Sequence, residues 1–412
     1  MFITFNIKNR KKILLFITLF NFIISHYVKM DKAMEMPFRN YVLFNKQGKL
    51  LPNRNFVRVE KPKISIIIPI YNEEKNIIKI IRSIQNQSLQ EIEIVCVNDN
   101  SNDKTLSILT SLQKVDPRIT IINNKFNRGV LYNRINGAMQ SKGEYVTFVD
   151  ADDYLCNIDI LRVSYEYATK KYNEKIDIVH YQSCGAITKG IDDLDDFLIF
   201  FTFNPHNFDQ VIRQPEIGDN YMQKKKNVTG SGLVFDKIYR RELIFRIADY
   251  ISPQIWNQNL IFIDDFLLAF ASMKMAKSIV NIGEIGYFHL IDTQTSTTSN
   301  VWNIDGNRLK NPEKANKKIG DYMIILERML QLTDNEPQSG EFREHILFEL
   351  INDQYLSAIA RSIHYEKFLS LFEKFYNWKY IDKETKKKIQ NNVKKILSYR
   401  IDSKKKFENL LD

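Results

Sequence analysis

Between residues 64 and 149, short apolar runs alternate with segments in which isoleucine or leucine recurs at helical spacing. The spacing is clearest at Ile77, Ile80, Ile81 and Ile84. Strands that alternate with helices predict parallel βαβ units, so the expected fold class is α/β, with a sheet flanked by helices. The predicted strands are the β-branched or aromatic runs Ile64–Pro69, Ile92–Val97, Ile119–Ile122 and Tyr145–Val149.

Polar turns follow these strands. After the first strand, Asn72 is predicted to cap a helix, with Glu73 and Glu74 in its first turn, where carboxylates suit the helix dipole. Ligands of open parallel sheets bind beyond the carboxyl ends of the strands, so we expect the turns to share one ligand site. The later turns are Asn98–Asp103, Asn127–Gly129 and Asp150–Asp153.

The acidic turn after Tyr145–Val149 predicts a metal and diphosphate site. Asp150 and Asp152 are separated by one residue, so both carboxylates can share a hard divalent cation, Mn²⁺ or Mg²⁺. Such a cation neutralises the paired phosphates of a nucleotide-sugar leaving group. The alternative is a solvated acidic turn, which would carry like-charge repulsion without a cation to offset it.

Beyond Asn157 the alternation weakens, and four aspartates within 192–196 predict a solvated turn. From about Asn311 the apolar residues recur at helical spacing with no strand signal, which favours a helical packing or acceptor module. Further strands are predicted at Ile176–Tyr181, Leu198–Phe203, Ile279–Ile282 and Gly286–Leu290.

The charge pattern argues against nucleic-acid binding. The formal net charge is +10, but the lysine runs at 386–388, 394–395 and 404–406 suit solvated helix faces and lack interleaved aromatic residues. Three cysteines are too few and too scattered for a disulfide framework or a zinc site, and Cys96 lies within a predicted strand as a core residue.

The amino terminus resembles a membrane anchor. Lys8, Arg10, Lys11 and Lys12 precede Ile13–Val28, an uncharged and mostly apolar stretch. We expect a single-pass signal-anchor with a cytosolic amino terminus, so that the rest of the chain faces a lumen, that of the Golgi or endoplasmic reticulum in a eukaryote. A cleaved signal peptide and an amphipathic or buried helix are the alternatives.

The ordered motifs resemble those of the family 2 glycosyltransferases. They are Ile64–Glu73, Val97–Asp103, Asn127–Gly129 and Val149–Asp153, followed more weakly by Phe235–Leu243 and Phe262–Phe266. The resemblance implies a Rossmann-like, mixed and mainly parallel sheet, the A-type glycosyltransferase fold, with a C-terminal all-helical appendage. It also implies an inverting, metal-dependent transfer of sugar from a nucleotide-diphosphate sugar, with a UDP-sugar favoured, to a hydroxyl of a glycan, protein or lipid.

The domains expected on this basis are an anchor over 1–30, a stem over 31–62, a catalytic domain over 63–300 and a helical region over 301–412.

The resemblance also assigns donor-binding residues. Tyr71 would lie against the nucleobase, although it could be a surface tyrosine in a turn. Asp99 would accept hydrogen bonds from the base or ribose, or else form an Asx-turn or cap for the helix near Lys104. Arg128 would contact the diphosphate or base, with ordinary loop chemistry as the alternative. The full nucleotide-sugar set is Pro69, Tyr71, Glu73, Asp99, Arg128, Asp150 and Ala151.

For catalysis, the resemblance makes Asp265 the base that removes the acceptor proton, beside Asp264 where the family commonly has glutamate. The alternative for this pair is a helix N-cap. His289 would join Asp150 and Asp152 as a metal or phosphate contact, or else be structural. The family often has Arg-Asn where this chain has Arg134-Ile135, which makes that helix a poorer guide to donor contacts.

Two other functions remain open at this point. A catalytically silent protein would bind nucleotide-sugar without turnover, with Asp264 and Asp265 as caps. A sugar nucleotidyltransferase also uses an acidic metal site, but it needs a glycine-rich, basic loop after its first strand, and Pro69–Glu73 is neither.

Overall fold

The computed structural model describes most of the chain from Asn55 onward, and all statements below concern the described residues. These are 55–188, 199–203, 209–214, 217, 233–260, 264–292, 312–336, 339, 343, 365–384, 386–387 and 390–391. The predicted acidic turn over 192–196 lies outside them.

Strands and helices alternate up to β4 and then follow a less regular order. The strands are β1 (Ile64–Ile70), β2 (Ile92–Asn98), β3 (Ile119–Asn123), β4 (Tyr145–Phe148), β5 (Tyr154–Leu155), β6 (Ile178–Thr188), β7 (Ile199–Phe203), β8 (Val211–Arg213), β9 (Lys237–Arg240) and β10 (Ser278–Asp292). The helices are α1 (Ile77–Gln85), α2 (Thr105–Val115), α3 (Val130–Gln140), α4 (Ile160–Thr169), α5 (Arg241–Ile251), α6 (Pro253–Trp256), α7 (Asp264–Met275), α8 (Pro312–Leu332) and α9 (Tyr365–Tyr376).

The first four strands form a parallel half-sheet in the order β3-β2-β1-β4. Ile67 on β1 pairs with Val95 on one side and Phe148 on the other. The carboxyl ends of β1, β2, β3 and β4 therefore meet at one edge, followed by the polar turns. The predicted α/β class is confirmed.

The second half of the sheet is mixed, and its path returns the chain to the acidic turn. The order continues β4-β9-β6-β10-β5, with β9 antiparallel to both β4 and β6, and β10 parallel to β6. The two-residue strand β5 pairs antiparallel with β10, Tyr154 opposite Phe288 and Leu155 opposite Tyr287. This pairing brings the residues just after Asp153 against the end of β10.

Alternate residues of β1 point to opposite faces of the sheet, and each face has its own core. Ile66 and Ile68 pack with α1, α2 and α4, whereas Ile67 packs with α3, α5 and α7. All three isoleucines are fully buried. Burial of one such side chain contributes about 1.5–3 kcal/mol, which explains why the central strand is almost wholly β-branched.

The predicted helix cap at Asn72 is wrong. Helix α1 begins five residues later at Ile77, and no acidic residue lies in its first turn. Asn72 instead has a left-handed backbone (φ 57°), and its side-chain oxygen accepts a hydrogen bond from the Asn102 amide at 2.9 Å. The asparagine bonds a neighbouring loop rather than its own helix because the two loops meet at the sheet edge.

The two strands predicted near residues 279–290 form one continuous strand. In β10 the pairing register with β6 shifts between Asn281 and Ile285, and again between Ile285 and Tyr287. Such irregularities interrupt the alternation of apolar and polar residues without ending the strand. The sequence pattern therefore breaks where the strand continues.

The C-terminal helices α8 and α9 share the core beneath α5 and α7. Met323, Leu326 and Phe372 are buried in it. The Arg328 guanidinium donates to the carbonyls of Ile251 at 2.8 Å and Tyr250 at 2.9 Å, at the C-terminal end of α5. A cation suits the negative end of a helix dipole, so α8 is held by charge as well as by apolar packing.

The predicted localisation as a single-pass membrane protein is wrong for the part of the chain that the structure describes. No helix there combines the length and the apolar character needed to cross a bilayer. Residues 13–28, on which the predicted anchor falls, lie outside that part.

Gly137 allows α3 to pack closely on the sheet. A Cβ atom added there would lie 2.5 Å from Ile67 Cγ2 and 3.0 Å from Val97 Cγ2, both on buried strands. We predict that Gly137→Val lowers the free energy of unfolding by about 1–3 kcal/mol, because the strands cannot move away. Met139→Val, at an exposed position of the same helix, is the control and should lower the free energy of unfolding by well under about 1 kcal/mol. Denaturant unfolding measures both variants, and equal stabilities would contradict the close packing.

Candidate active site

The loops that follow β1 and β2 are bonded into one unit at the sheet edge. The Asn72 amide donates to Ser101 Oγ at 3.0 Å, and the Glu73 amide donates to Thr105 Oγ1 at 2.8 Å. The Lys104 amide in turn donates to Glu74 Oε2 at 3.0 Å. Side chains of each loop thus satisfy backbone groups of the other, so the two loops hold each other in place.

Asp99 ties this unit to the loop after β3. One carboxylate oxygen accepts from the Arg128 amide at 2.8 Å and from Asn124 Nδ2 at 2.8 Å, and the other accepts from the Gly129 amide at 2.9 Å. The side chain is buried. The start of α2 is served by Asp103, which accepts from the Thr105 amide, so Asp99 is the organiser of the 124–129 loop rather than a helix cap.

Gly129 brings the segment before α7 to the same place. Its backbone has φ 82°, and a Cβ atom there would lie 2.5 Å from the Leu260 carbonyl oxygen. The Val130 amide donates to that carbonyl at 3.1 Å. Only glycine permits both the backbone conformation and this approach, so the chain near Leu260 lies against the loop.

The Arg128 guanidinium lies against aromatic and amide groups. It is 4.2 Å from the centroid of the Tyr132 ring and hydrogen bonds to Asn257. This contact agrees with the loop-chemistry alternative, and a donor contact by Arg128 stays a prediction. Tyr71, by contrast, is 48% exposed at the edge, so one ring face is accessible to a flat ligand.

Pro69 lies near the end of β1, Glu73 in the loop that follows it, and Ala151 in the acidic turn after β4. Pro69 is part of buried β1, and Ala151 is also buried. Burial raises the pKa of Glu73 to about 7, and the negative charges of Asp103 and Asp153 add to the rise against the opposing hydrogen bond from Asn76. The rise in pKa therefore reflects mainly the burial of this carboxyl, to which the neighbouring negative charges add.

Asp153 is the buried member of the acidic turn. Its carboxylate accepts from Tyr287 Oη at 2.7 Å and lies 2.8 Å from His289 Nδ1. Tyr287 Oη in turn accepts from the Asp150 amide at 3.1 Å. The end of β10 therefore fixes the acidic turn, through the pairing of β5 with β10.

The aspartates around His289 favour the protonated form of its imidazole. Burial alone would lower its pKa, but Asp153, Asp152 and Asp150 raise it to about 9. The Phe235 ring is stacked on the imidazole at a centroid distance of 5.4 Å. An imidazolium held in this way suits an anionic oxygen, and its service as a metal ligand would require loss of a proton.

Asp152 is exposed on one side and has protein close on the others. Burial on those sides, followed by the negative charges of Asp153 and Asp150, raises the pKa of its carboxyl well above the usual value. No three His, Cys, Asp or Glu side chains of the described residues enclose a cation by themselves. A cation here would need ligands from elsewhere as well.

Arg134 is the functional candidate that the sequence analysis set aside. Its guanidinium forms ion pairs with both Asp150 and Asp265 and is almost fully buried. The signal was an arginine among Leu131, Ile135 and Ala138 on the apolar face of α3, since a buried charge demands a partner. The partners could not be named from the sequence alone.

The acidic pair lies at the start of α7. The helix begins at Asp264, and the Asp265 side chain is partly exposed and paired with Arg134. The position suits the helix dipole, so the cap alternative and a chemical role are compatible for Asp265. Nothing is described of the Asp264 side chain, and its catalytic role stays a prediction.

Comparison with known proteins identifies the segment that carries these loops. The family model described as glycosyl transferase family 2 matches residues 65–175. The chain is 44% identical over 95 residues to the GalNAc(5)-diNAcBac-PP-undecaprenol beta-1,3-glucosyltransferase of Campylobacter jejuni, which is 23% of this chain and 31% of that protein. It is 26% identical over 336 residues to an uncharacterized glycosyltransferase of Haemophilus influenzae, covering 79% of this chain and 97% of the relative.

Solved structures show the same fold. The crystal structure of S. aureus TarS 1-349 in complex with UDP-GlcNAc matches with a TM-score of 0.51 and 18% identity, over 82% of this chain and 91% of that chain. The segment similar to glycosyl transferase family 2, residues 65–175, is the part of the chain that carries the loops and the acidic turn described above.

Proposed function

We propose that this protein is a metal-dependent, inverting glycosyltransferase that moves a sugar from a nucleotide-diphosphate sugar to a hydroxyl acceptor. The observation that carries the proposal is the shared ion pair of Arg134, which holds the acidic turn at Asp150 next to Asp265 at the start of α7. The carboxylate proposed to bind the donor and the carboxylate proposed to accept the proton are thus bridged by one guanidinium.

The donor would lie along the loops at the sheet edge. Tyr71 offers an exposed ring for the nucleobase, and the 124–129 loop is fixed by Asp99 before any ligand binds. Such preorganisation lowers the entropic cost of binding. A uridine nucleotide is favoured, with support from the TarS complex of the same fold, which contains UDP-GlcNAc.

The acidic turn fits a cation that arrives with the diphosphate. Asp150 and Asp152 would hold Mn²⁺ or Mg²⁺, for which the crowded negative charge around Asp152 is the supporting observation. Hard cations are commonly bound by one or two carboxylates plus substrate phosphates, which agrees with a site that has no complete protein cage among the described residues. Bound there, the cation would supply charge neutralisation for the departing diphosphate.

The side chains of the protein would supply the rest of the chemistry. Asp265 accepts the proton of the acceptor hydroxyl as its oxygen attacks the anomeric carbon. The bond from that carbon to the diphosphate oxygen breaks on the opposite side, and the electron pair leaves with the nucleoside diphosphate, so the configuration inverts. The His289 imidazolium would donate a hydrogen bond to a phosphate oxygen.

The acceptor is proposed only by class, as a hydroxyl on a glycan, a protein or a lipid. The Campylobacter relative is named for a lipid-linked glycan acceptor, but the matched segment covers 31% of that protein. The acceptor half of a family 2 enzyme lies largely outside such a segment, so the name gives weak support for any one acceptor.

Nucleotide binding tests the donor site first. We predict that UDP with Mn²⁺ raises the melting temperature in a thermal-shift assay, because a ligand at about 100 times its Kd stabilises the folded state by about 2.7 kcal/mol. UDP with a chelator should give a smaller shift. The absence of a shift with UDP, GDP, ADP and CDP, each with Mn²⁺, would contradict a nucleotide site.

Removal of the exposed carboxylate tests the metal role. We predict that Asp152→Ala reduces sugar transfer by about 100–1,000-fold, the loss seen when one electrostatic contact to a transition state is removed. Its melting temperature should stay level or rise, since Asp152 is crowded by Asp153 and Asp150. The control is Glu166→Ala, which removes an exposed carboxylate of α4. Wild-type transfer by Asp152→Ala would contradict the metal role.

A further inference from the structure

Arg134 joins three parts of the chain at one point. Its side chain starts from α3, and its Nη2 and Nη1 atoms donate to Asp150 of the acidic turn and to Asp265 of α7. The side chain is 3% exposed, whereas those of Asp150 and Asp265 are 23% and 30% exposed. The guanidinium is therefore behind the two carboxylates, which still reach the surface of the site.

The chemistry of arginine suits this bridge. Its planar fork presents separate N–H donors in fixed directions, so that each carboxylate takes one of them. A lysine ammonium is a compact point charge on a flexible stem and would not impose the same geometry. Two carboxylates side by side also repel each other, and the guanidinium offsets that repulsion.

We propose that Arg134 is a positioning residue that sets the proton-accepting carboxylate of Asp265 at a fixed place relative to the donor-holding carboxylate of Asp150. The inference rests on the proposed function, which assigns those roles. Arg134 itself touches neither donor nor acceptor. It acts through Asp265, which it holds at a fixed place relative to Asp150, and so keeps the attacking hydroxyl and the anomeric carbon in line.

The chain offers a matched control in Arg162. Its guanidinium also bridges two carboxylates, Asp159 and Glu166, each at 3.1 Å, but on the exposed surface of α4. Arg162→Lys therefore makes the same chemical change at a two-carboxylate bridge outside the site. It should leave the kinetic constants unchanged.

The experiment compares Arg134→Lys with Arg162→Lys in steady-state transfer from a UDP-sugar. For Arg134→Lys we expect kcat to fall by about 100-fold, the loss produced by a misplacement of about 1 Å in the reacting groups. Affinity for UDP with Mn²⁺, measured by calorimetry, should change by about threefold or less, since the donor site keeps Asp152 and the loops. The melting temperature reports whether each variant is folded.

A double mutant separates positioning from a structural role. Because Arg134 is proposed to act through Asp265, the change Arg134→Lys should cause little further loss of kcat in an Asp265→Asn background. A residue that only stabilises the fold would instead give the same fractional loss in both backgrounds, together with a lower melting temperature. Arg134→Gln repeats the test without the positive charge and should lose more than Arg134→Lys.

Several outcomes would overturn the inference while the proposed function stands. These are a wild-type kcat for both Arg134 variants, equal losses of UDP affinity and kcat, or equal fractional losses in both backgrounds. Full activity of Asp265→Asn would instead overturn both the positioning role and the proposed assignment of Asp265 as proton acceptor. A folded wild-type protein that transfers no sugar and binds no nucleotide overturns the proposed function and the positioning role with it.

Discussion

Repulsion among crowded carboxylates is the constraint that governs the edge of this sheet. The negative charge of Asp153 is offset by the His289 imidazole and the Tyr287 hydroxyl. Asp150 and Asp265 both form ion pairs with Arg134. Asp152 has no ion pair with a cationic side chain in the described part of the chain, and its pKa is raised by its neighbours. The proposed cation carried with a diphosphate would supply positive charge beside this carboxylate.

The topology explains how the charges are gathered. Parallel strands deliver the loops at one edge, but the basic side chains come from other elements: Arg134 from α3 and His289 from β10. The short strand β5 is the key connection, since its pairing with β10 places Asp153 beside Tyr287 and His289. Gly129 makes the second connection, because its lack of a side chain lets the Leu260 backbone approach closely. Helix α7 therefore begins next to the acidic turn.

The sequence pattern predicted the features that depend on residues close together in the chain. The parallel strands were predictable because they are β-branched or aromatic runs, of which β1, β2 and β4 are buried on both faces, and the acidic turn because it follows such a strand. Arg134 was not, because its partners are 16 and 131 residues away and only the tertiary fold brings them together. Asn72 was wrongly predicted as a cap, because the bond to Asn102 in the next loop outweighed the local one. The break in β10 misled the strand pattern for the same reason, since its pairing is set by β6.

The most direct measurement of the central claim is anomalous X-ray diffraction from crystals of the protein grown with UDP and Mn²⁺. We expect one manganese peak within bonding distance of the Asp152 carboxylate and of the diphosphate oxygens, with the uracil near Tyr71. A manganese ion and diphosphate bound away from residues 150–153, with the acidic turn solvated and empty, would contradict it.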